Sequence, residues 1–369
     1  MKILITGAYG FIGKNLSYFL KCSGYEDLYL YDQDTDEKLL DKYTKDCSFV
    51  YHLAGVNRPK DEEEFMEGNY GFTSVLLDSL KKNNNKAPIL ITSSIQAELD
   101  NSYGKSKKAG EELIFKYGKE NNVRTYVYRL TNVFGKWSKP NYNTVIATFC
   151  YNIGHELPII INDPNVVMNL MYIDDVVDEL MNALVGKETR NGEYCEVSVN
   201  HTKKLGEIAD LIYSFKDSRN VLSIPDMSDP LVSKLYSTYL SFLSEDAFSY
   251  PLKMNLDNRG SFTEIIRTID RGQCSINVSE PGIIKGNHWH HSKNEKFLVV
   301  SGTGVIRFRK LGENKVIEYH VNGDKLEMVD IPTGYIHNIE NLGNTNMVTF
   351  MWANVCFNTA TPDTYYEEV

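Results

Sequence analysis

The sequence predicts an α/β fold built on a doubly wound parallel sheet, followed by a second, all-β barrel domain. Three observations carry this. The chain has 369 residues, more than one ordinary core needs. Up to about residue 190, short apolar runs alternate with amphipathic helical stretches, the pattern of a parallel sheet covered on both faces. After about residue 250 the segments become short, β-branched and aromatic, with turn residues between them, the pattern of an antiparallel sandwich or barrel.

In the first part, KILITG, DLYLYD, FVYHLAG, PILITSS and RTYVYRL read as buried strands. FIGKNLSYFLKCS, YGFTSVLLDSLKKN and SYGKSKKAGEELIFKYGKEN read as helices. In the second part, GSFTEIIR, QCSINVS, KFLVVSGTGVIRFRKL, KVIEYHV, LEMVDIP and NMVTFMWAN read as strands. Lys203 to Ser249 is helical and rich in Ser and Tyr, the tail of the first domain plus a linker. The expected domains are therefore 1–246 and 247–369.

Hydrophobic residues make up 42% of the chain and charged residues 24%, as in a soluble globular protein. The net charge of −10 argues against a nucleic-acid binder, which needs a basic face to neutralise phosphates. The six cysteines are scattered, with no Cys-x-x-Cys pair, which suggests reduced thiols and a cytoplasmic protein. The N-terminus has no signal-peptide pattern, and no apolar run is long enough to span a bilayer, so no membrane partner is expected.

Gly7, Gly10 and Gly13 follow the first strand and open a helix. A pyrophosphate needs this arrangement: a tight turn, close backbone approach and the N-terminus of a helix. The same spacing also serves a plain strand-to-helix turn. Its place at residue 7 of a βαβ pattern favours dinucleotide binding of the Rossmann type. Tyr103 and Lys107 are four apart in a predicted helix and share a face. A free tyrosine, with a pKa of about 10, is a poor acid-base catalyst near neutrality; a neighbouring ammonium lowers it. Ser94, at the end of PILITSS, can hydrogen-bond a substrate carbonyl. An isolated Tyr-x-x-x-Lys is usually a solvated helix face, but here glycines, Ser94, Tyr103 and Lys107 come in an order that fits catalysis.

These residues make the first ~240 positions resemble an extended short-chain dehydrogenase/reductase acting on nucleotide sugars. HLAG (52–55), Asn69 in NYGFTSVLL, RLTNVFG (129–135) and MYIDDVV (171–177) resemble further family segments. The resemblance implies a cofactor site at Gly7, Gly10, Phe11, Ile12, Gly13, Asp32, Leu53, Ala54, Gly55, Tyr103 and Lys107. It implies catalysis by Ser94, Tyr103 and Lys107, and substrate contacts from Asn57, Arg58, Arg129, Asn132 and Lys136. Two departures stand out. Ile95 and Gln96 follow Ser94 where dehydratases of the family carry acids, which disfavours dehydration. Asp32 ends the second strand, where an acid binds the ribose 2′-OH of NAD and repels the 2′-phosphate of NADP; an ordinary turn aspartate is the alternative.

Residues 282–302 read Gly-x5-His-x-His-x4-Glu-x6-Gly, and 332–341 read Pro-x-Gly-x-x-His-x3-Asn. His288 and His290 are two apart and point the same way on a strand. Glu295 returns across a short turn, and His337 comes from a later strand. Together these resemble the two cupin motifs, although Leu326 replaces the usual leading glycine of the second. Three nitrogens and one oxygen suit one first-row divalent ion per chain, with zinc the first choice.

Over its whole length the chain resembles bifunctional capsular-polysaccharide enzymes. That resemblance implies a UDP-linked 4-keto-6-deoxy amino sugar as substrate. The cupin would epimerise C3 and the reductase would reduce C4 with NADPH, NADH being the alternative, to give UDP-2-acetamido-2,6-dideoxy-L-talose. Epimerisation must come first, because the C3 proton is acidic only while C4 is a ketone. The other reading is an NAD-dependent 4-epimerase with a non-catalytic, sugar-binding cupin. A homodimer or higher homo-oligomer is the expected assembly.

Overall fold

The structure, a computed structural model, describes residues 1–358 and 360–369. The chain divides into two compact units, Met1–Tyr213 with Ser228–Ser244, and Ser214–Met227 with Glu245–Val369.

In the first unit, β1 (Ile3–Thr6) leads into α1 (Phe11–Cys22), then β2 (Leu28–Tyr31), α2 (Lys38–Asp46) and β3 (Phe49–His52). A short helix α3 (Glu63–Met66) and a π-type turn (Glu67–Gly71) precede α4 (Phe72–Lys82). Next come β4 (Ile89–Ser94), α5 (Ser102–Asn121), β5 (Thr125–Leu130), β6 (Asn132–Phe134), α6 (Val145–Gly154), β7 (Val167–Tyr172) and α7 (Ile173–Leu184). β8 (Arg190–Asn191), β9 (Tyr194–Cys195), β10 (His201–Lys204) and the start of α8 (Leu205–Val221) follow, the rest of α8 belonging to the second unit, and α9 (Pro230–Leu240) closes the first.

The main sheet runs β2-β1-β3-β4-β5-β9-β8, with β1 to β5 all parallel. Strand order reverses at β1, which has β2 on one side and β3 on the other, and this opens a crevice beyond their carboxyl ends. The strands are apolar throughout because both faces are covered. Ile3 and Ile5 pack with Leu16 and Leu20 of α1 and with Val176 and Leu180 of α7. Leu4 between them faces the other way, into a core with Leu76 and Leu80 of α4 and Ile114 of α5. All five strands read from sequence are present. The helices α2, α6 and α7 and the small sheet β10-β7-β6 were not read from it.

The second unit is built from antiparallel strands. β11 (Met254–Asp257), β12 (Gly260–Thr268) and β13 (Gly272–Ser279) are followed by β14 (Ile284–Trp289), β15 (Glu295–Ser301) and β16 (Thr303–Lys310). β17 (Val316–Asn322), β18 (Met328–Ile331), β19 (Tyr335–Asn341), β20 (Met347–Ala353) and β21 (Tyr365–Tyr366) complete it. They form a six-stranded sheet, β11-β12-β13-β20-β15-β18, and a five-stranded sheet, β17-β16-β19-β14-β21. One core draws on both sheets, with Phe297, Val299 and Met347 from the first and Ile306, Phe308 and Ile339 from the second.

Candidate functional sites

The crevice at the ends of β1 and β3 is a cavity of about 910 Å³. Its wall includes Gly7, Gly10, Phe11, Ile12, Gly13, Asp32, Leu53, Ala54, Gly55, Ser94, Tyr103 and Lys107. These are the residues expected to hold cofactor and perform chemistry, brought together from four strand ends and two helices. Gly7 has φ +67°, and a Cβ there would lie 2.6 Å from the Ala54 nitrogen. At Gly13 a Cβ would lie 2.1 Å from the Gly7 carbonyl oxygen. α1 begins at Gly10, which has no side-chain oxygen to cap it, so its first-turn N–H groups remain for a ligand. A dinucleotide pyrophosphate fits this loop.

Asn101 caps α5, its side chain accepting from the Gly104 amide at 2.7 Å, and this starts the helix just before Tyr103. Lys107 lies one turn on, with its Nζ 5.9 Å from the Tyr103 ring centroid and donating to the Thr92 carbonyl at 3.3 Å. Burial pushes the Lys107 ammonium down to about 8, against the pull of Glu111. Burial also pushes the Tyr103 phenol up, and its hydrogen bond with Ser94 offsets only part of that. The expected lowering of Tyr103 is therefore not found. A phenol held protonated is the form that can donate a proton.

Behind this wall, Asn69 ties three segments together. It accepts from the Val56 amide at 3.0 Å and donates to the Val56 carbonyl at 3.1 Å and the Ser106 hydroxyl at 3.0 Å. His52 is buried between Thr6 and Thr73, 2.8 Å from each hydroxyl, and burial pushes its imidazole down to about 3.

The expected substrate contacts divide. Asn57 and Asn132 line the cavity. Arg58 lies over the ring of Tyr142, itself a wall residue, at 5.8 Å. Arg129 and Lys136 are corrections: neither lines the cavity. Arg129 makes a two-pronged pair with buried Glu111 at 2.9 and 2.7 Å, bonds Glu98 at 2.7 Å and stacks on Tyr194 at 4.2 Å. Without it, Glu111 would be a buried unpaired charge. Lys136 pairs with Asp174. Sequence reasoning missed Ser93, Gln96, Thr131, Trp137 and Tyr142 on the wall. Among the described residues the buried hydroxyls of Ser93 and Thr131 have no hydrogen-bond partner, as suits groups facing a polar ligand.

In the second unit, one ligand atom from each of His288, His290, Glu295 and His337 lies within 4.8 Å of the others. His288 and His337 are directly paired across β14 and β19, while Glu295 begins β15. Nε2 of His290 and of His337 each lie 3.4 Å from the Glu295 Oε2, yet all three buried atoms lack a hydrogen bond. Ligands about 2.0–2.2 Å from a tetrahedral zinc ion are themselves about 3.4 Å apart, so these orphaned atoms fit a metal. Burial, with His337 and His290 alongside, pushes His288 down to about 4, which keeps it in the neutral, ligating form. His290 Nδ1 hydrogen-bonds the Asp363 carbonyl, which leaves Nε2 for the ion. The Asp363 carboxylate accepts from the backbone amides of His291, Ser292 and Lys293 at 2.7–2.9 Å, fastening the loop that carries His290. Asp363 was not anticipated, since nothing in its sequence neighbourhood marks it.

The sequence pattern of the NAD dependent epimerase/dehydratase family matches residues 3–197, and that of the polysaccharide biosynthesis C-terminal domain matches residues 255–365. UDP-2-acetamido-2,6-beta-L-arabino-hexul-4-ose reductase of Pseudomonas aeruginosa is 43% identical over 365 residues, covering 99% of this chain and 98% of its own. The crystal structure of the capsular polysaccharide assembling protein CapF from Staphylococcus aureus is 52% identical, covers 100% of both chains and superposes with a TM-score of 0.96. UDP-glucuronic acid 4-epimerase from Bacillus cereus, in complex with UDP-glucuronic acid and NAD, shares the fold. It is 21% identical with a TM-score of 0.54 over 66% of this chain and 99% of its own.

Proposed function

The chain belongs to the NAD dependent epimerase/dehydratase family and, over its full length, to the family of CapF; from that premise we propose a bifunctional nucleotide-sugar enzyme. Residues 1–246 act as a 4-ketoreductase, and residues 247–369, read as a cupin, act as a C3-epimerase. The substrate is a UDP-linked 4-keto-6-deoxy-N-acetylhexosamine and the product UDP-2-acetamido-2,6-dideoxy-L-talose. The observation that carries the reading is the meeting of Ser94, Tyr103 and Lys107 with the glycine loop in one cavity. The name of the Pseudomonas relative, a hexul-4-ose reductase, supports it.

In the reductase, Ser94 hydrogen-bonds the C4 carbonyl oxygen and Tyr103 gives that oxygen its proton as charge develops. Lys107, a buried cation on the same helix face, orients the cofactor ribose and favours the tyrosinate that remains. Gly7, Gly10 and Gly13 would hold a reduced nicotinamide dinucleotide, which would supply hydride chemistry at C4. Asn57, Arg58 and Asn132 hold the nucleotide sugar. Gln96, in place of an acid, disfavours dehydration.

In the second unit, His288, His290, Glu295 and His337 would hold one first-row divalent ion, an N3O donor set for which zinc is the first choice and nickel, manganese or iron the alternatives. Such an ion supplies Lewis acidity or fixes the fold. Gln273, Ser275, Asn277 and Thr349 are buried polar side chains of the same unit and suit a hydroxylated sugar.

The test is to incubate the protein with the UDP-4-keto-6-deoxy sugar and reduced cofactor, follow absorbance at 340 nm and assign the product by NMR. Stoichiometric consumption of cofactor with inversion at C3 is expected. A 4-epimerase, the other reading, would leave added cofactor untouched.

The assembly we propose is a homodimer. Ile276, Val278, Leu298, Val348 and Phe350 lie half-buried on the outer face of the six-stranded sheet, joined there by exposed Met254, Leu256 and Met328. A continuous apolar face of this kind suits burial against a second copy.

A further inference from the structure

We propose that the dinucleotide site selects NADH over NADPH, with Asp32 as the residue that decides it. The proposal rests on the reading of the glycine-lined cavity as a nicotinamide dinucleotide site. It departs from the NADPH that the family resemblance implies.

The relevant part of the cavity is the end of β2, contributed by Tyr31, Asp32, Gln33, Thr35 and Glu37. An acid at this place in a βαβ unit meets the 2′ position of the adenosine ribose. Asp32 is held firmly. Its Oδ2 accepts from the Tyr9 amide, in the glycine loop, at 2.8 Å. Its Oδ1 accepts from the Gln33 amide at 2.9 Å, and its own amide donates to the Thr35 hydroxyl at 2.9 Å. A carboxylate has about four acceptor positions, so two remain for a ribose hydroxyl. The Tyr9 bond makes Asp32 part of the phosphate-binding loop and resists its turning away.

A 2′-phosphate in the same place would face Asp32, held by the Tyr9 and Gln33 amides, with the Glu37 carboxylate also on the wall. Accommodating it takes an arginine or lysine beside the strand end. Among the described residues of the wall the cations are Lys107 and Lys139. Lys107 is buried beside Tyr103 and Lys139 lies over the ring of Tyr142, so neither belongs to the β2 loop. Hydroxyl binding is thus provided for, and phosphate binding is opposed.

The test measures binding of NADH and NADPH to the full-length protein by calorimetry, and kcat/KM for each with the 4-keto sugar. NADH should be favoured by about tenfold or more in both. Binding of 5′-AMP and 2′,5′-ADP isolates the ribose end, and 5′-AMP should bind the tighter. Asp32→Ser combined with Gln33→Arg should narrow or reverse the preference. Equal use of the two cofactors, or a preference for NADPH, would overturn the selectivity while leaving the dinucleotide site intact. Failure of a folded protein to bind either cofactor would overturn both.

Discussion

The mostly parallel seven-stranded sheet and the six-stranded antiparallel sheet hide their apolar residues in opposite ways. In the first, Ile3, Leu4 and Ile5 of a single strand are all fully buried, because helices cover both faces. Its chemistry is confined to strand ends, where Ser94 and the glycine loop meet solvent. In the second, alternation on β13 is inverted. Gln273, Ser275, Asn277 and Ser279 are buried, while Ile276 and Val278 between them are not fully covered. Polar groups inside can surround a ligand, and the apolar side chains between them then lie on the outer face. Chemistry at the rim leaves a fold free to bury all its apolar surface within the chain. A sheet that turns polar groups inward, as on β13, moves some of that surface outward.

The largest expected effect separates the two sites. Tyr103→Phe removes the proton donor at the rim, so reduction should fall about 10²–10⁴-fold. Exchange of the C3 proton with deuterated solvent, measured by NMR, should be unchanged. Reduction within threefold of wild type would remove Tyr103 from the mechanism, and loss of exchange would mean the sites are not separate.

The converse substitution is His290→Ala. Elemental analysis should find about one metal ion per wild-type chain and a small fraction of that in the variant. Cofactor binding at the rim should persist. Asp363→Ala, which only unfastens the His290 loop, should weaken metal affinity about 10–100-fold in a chelator competition. An unaltered affinity would show that the loop needs no such anchor.

The outer face is tested by Phe350→Glu. A charge there should halve the mass measured by light scattering while circular dichroism stays unchanged. A wild type already monomeric at micromolar concentration would end the proposal that this face is an interface.

The smallest effect concerns the parallel sheet's intolerance of charge. The folded chain keeps His52 neutral down to about pH 3, whereas the unfolded chain takes up a proton below its ordinary 6.5. Protons therefore favour unfolding, and stability falls as pH drops through that window. Between pH 7 and pH 5 this group should remove about 2 kcal/mol, read by urea unfolding. His52→Gln should lack that component. An identical pH dependence in the variant would show that His52 titrates normally.

Much of this was legible in the sequence because it depends on local pattern. The five parallel strands, the helix carrying Tyr103 and Lys107, and the glycine turn follow from apolar runs, a four-residue repeat and a backbone that admits no Cβ. The clustering of His288, His290, Glu295 and His337 was legible because residues two apart on a strand share a face. Arg129 shows where local pattern fails. Its segment matched a family motif, but the direction of its side chain was settled by Glu111, a residue 18 positions earlier that needed a partner.

The sequence by itself determined the two-part architecture, the glycine loop, the Ser94, Tyr103 and Lys107 set and the cluster of three histidines with Glu295, because spacing along a strand or helix dictates which groups share a face. Only the tertiary structure decided what those groups meet. It put Asp32 onto the Tyr9 amide, buried Tyr103 so that its phenol stays protonated, turned Arg129 from the cavity to Glu111, and laid the Asp363 carbonyl against His290. Those outcomes depend on burial and on partners distant in sequence, and both exist only once the chain has closed on itself.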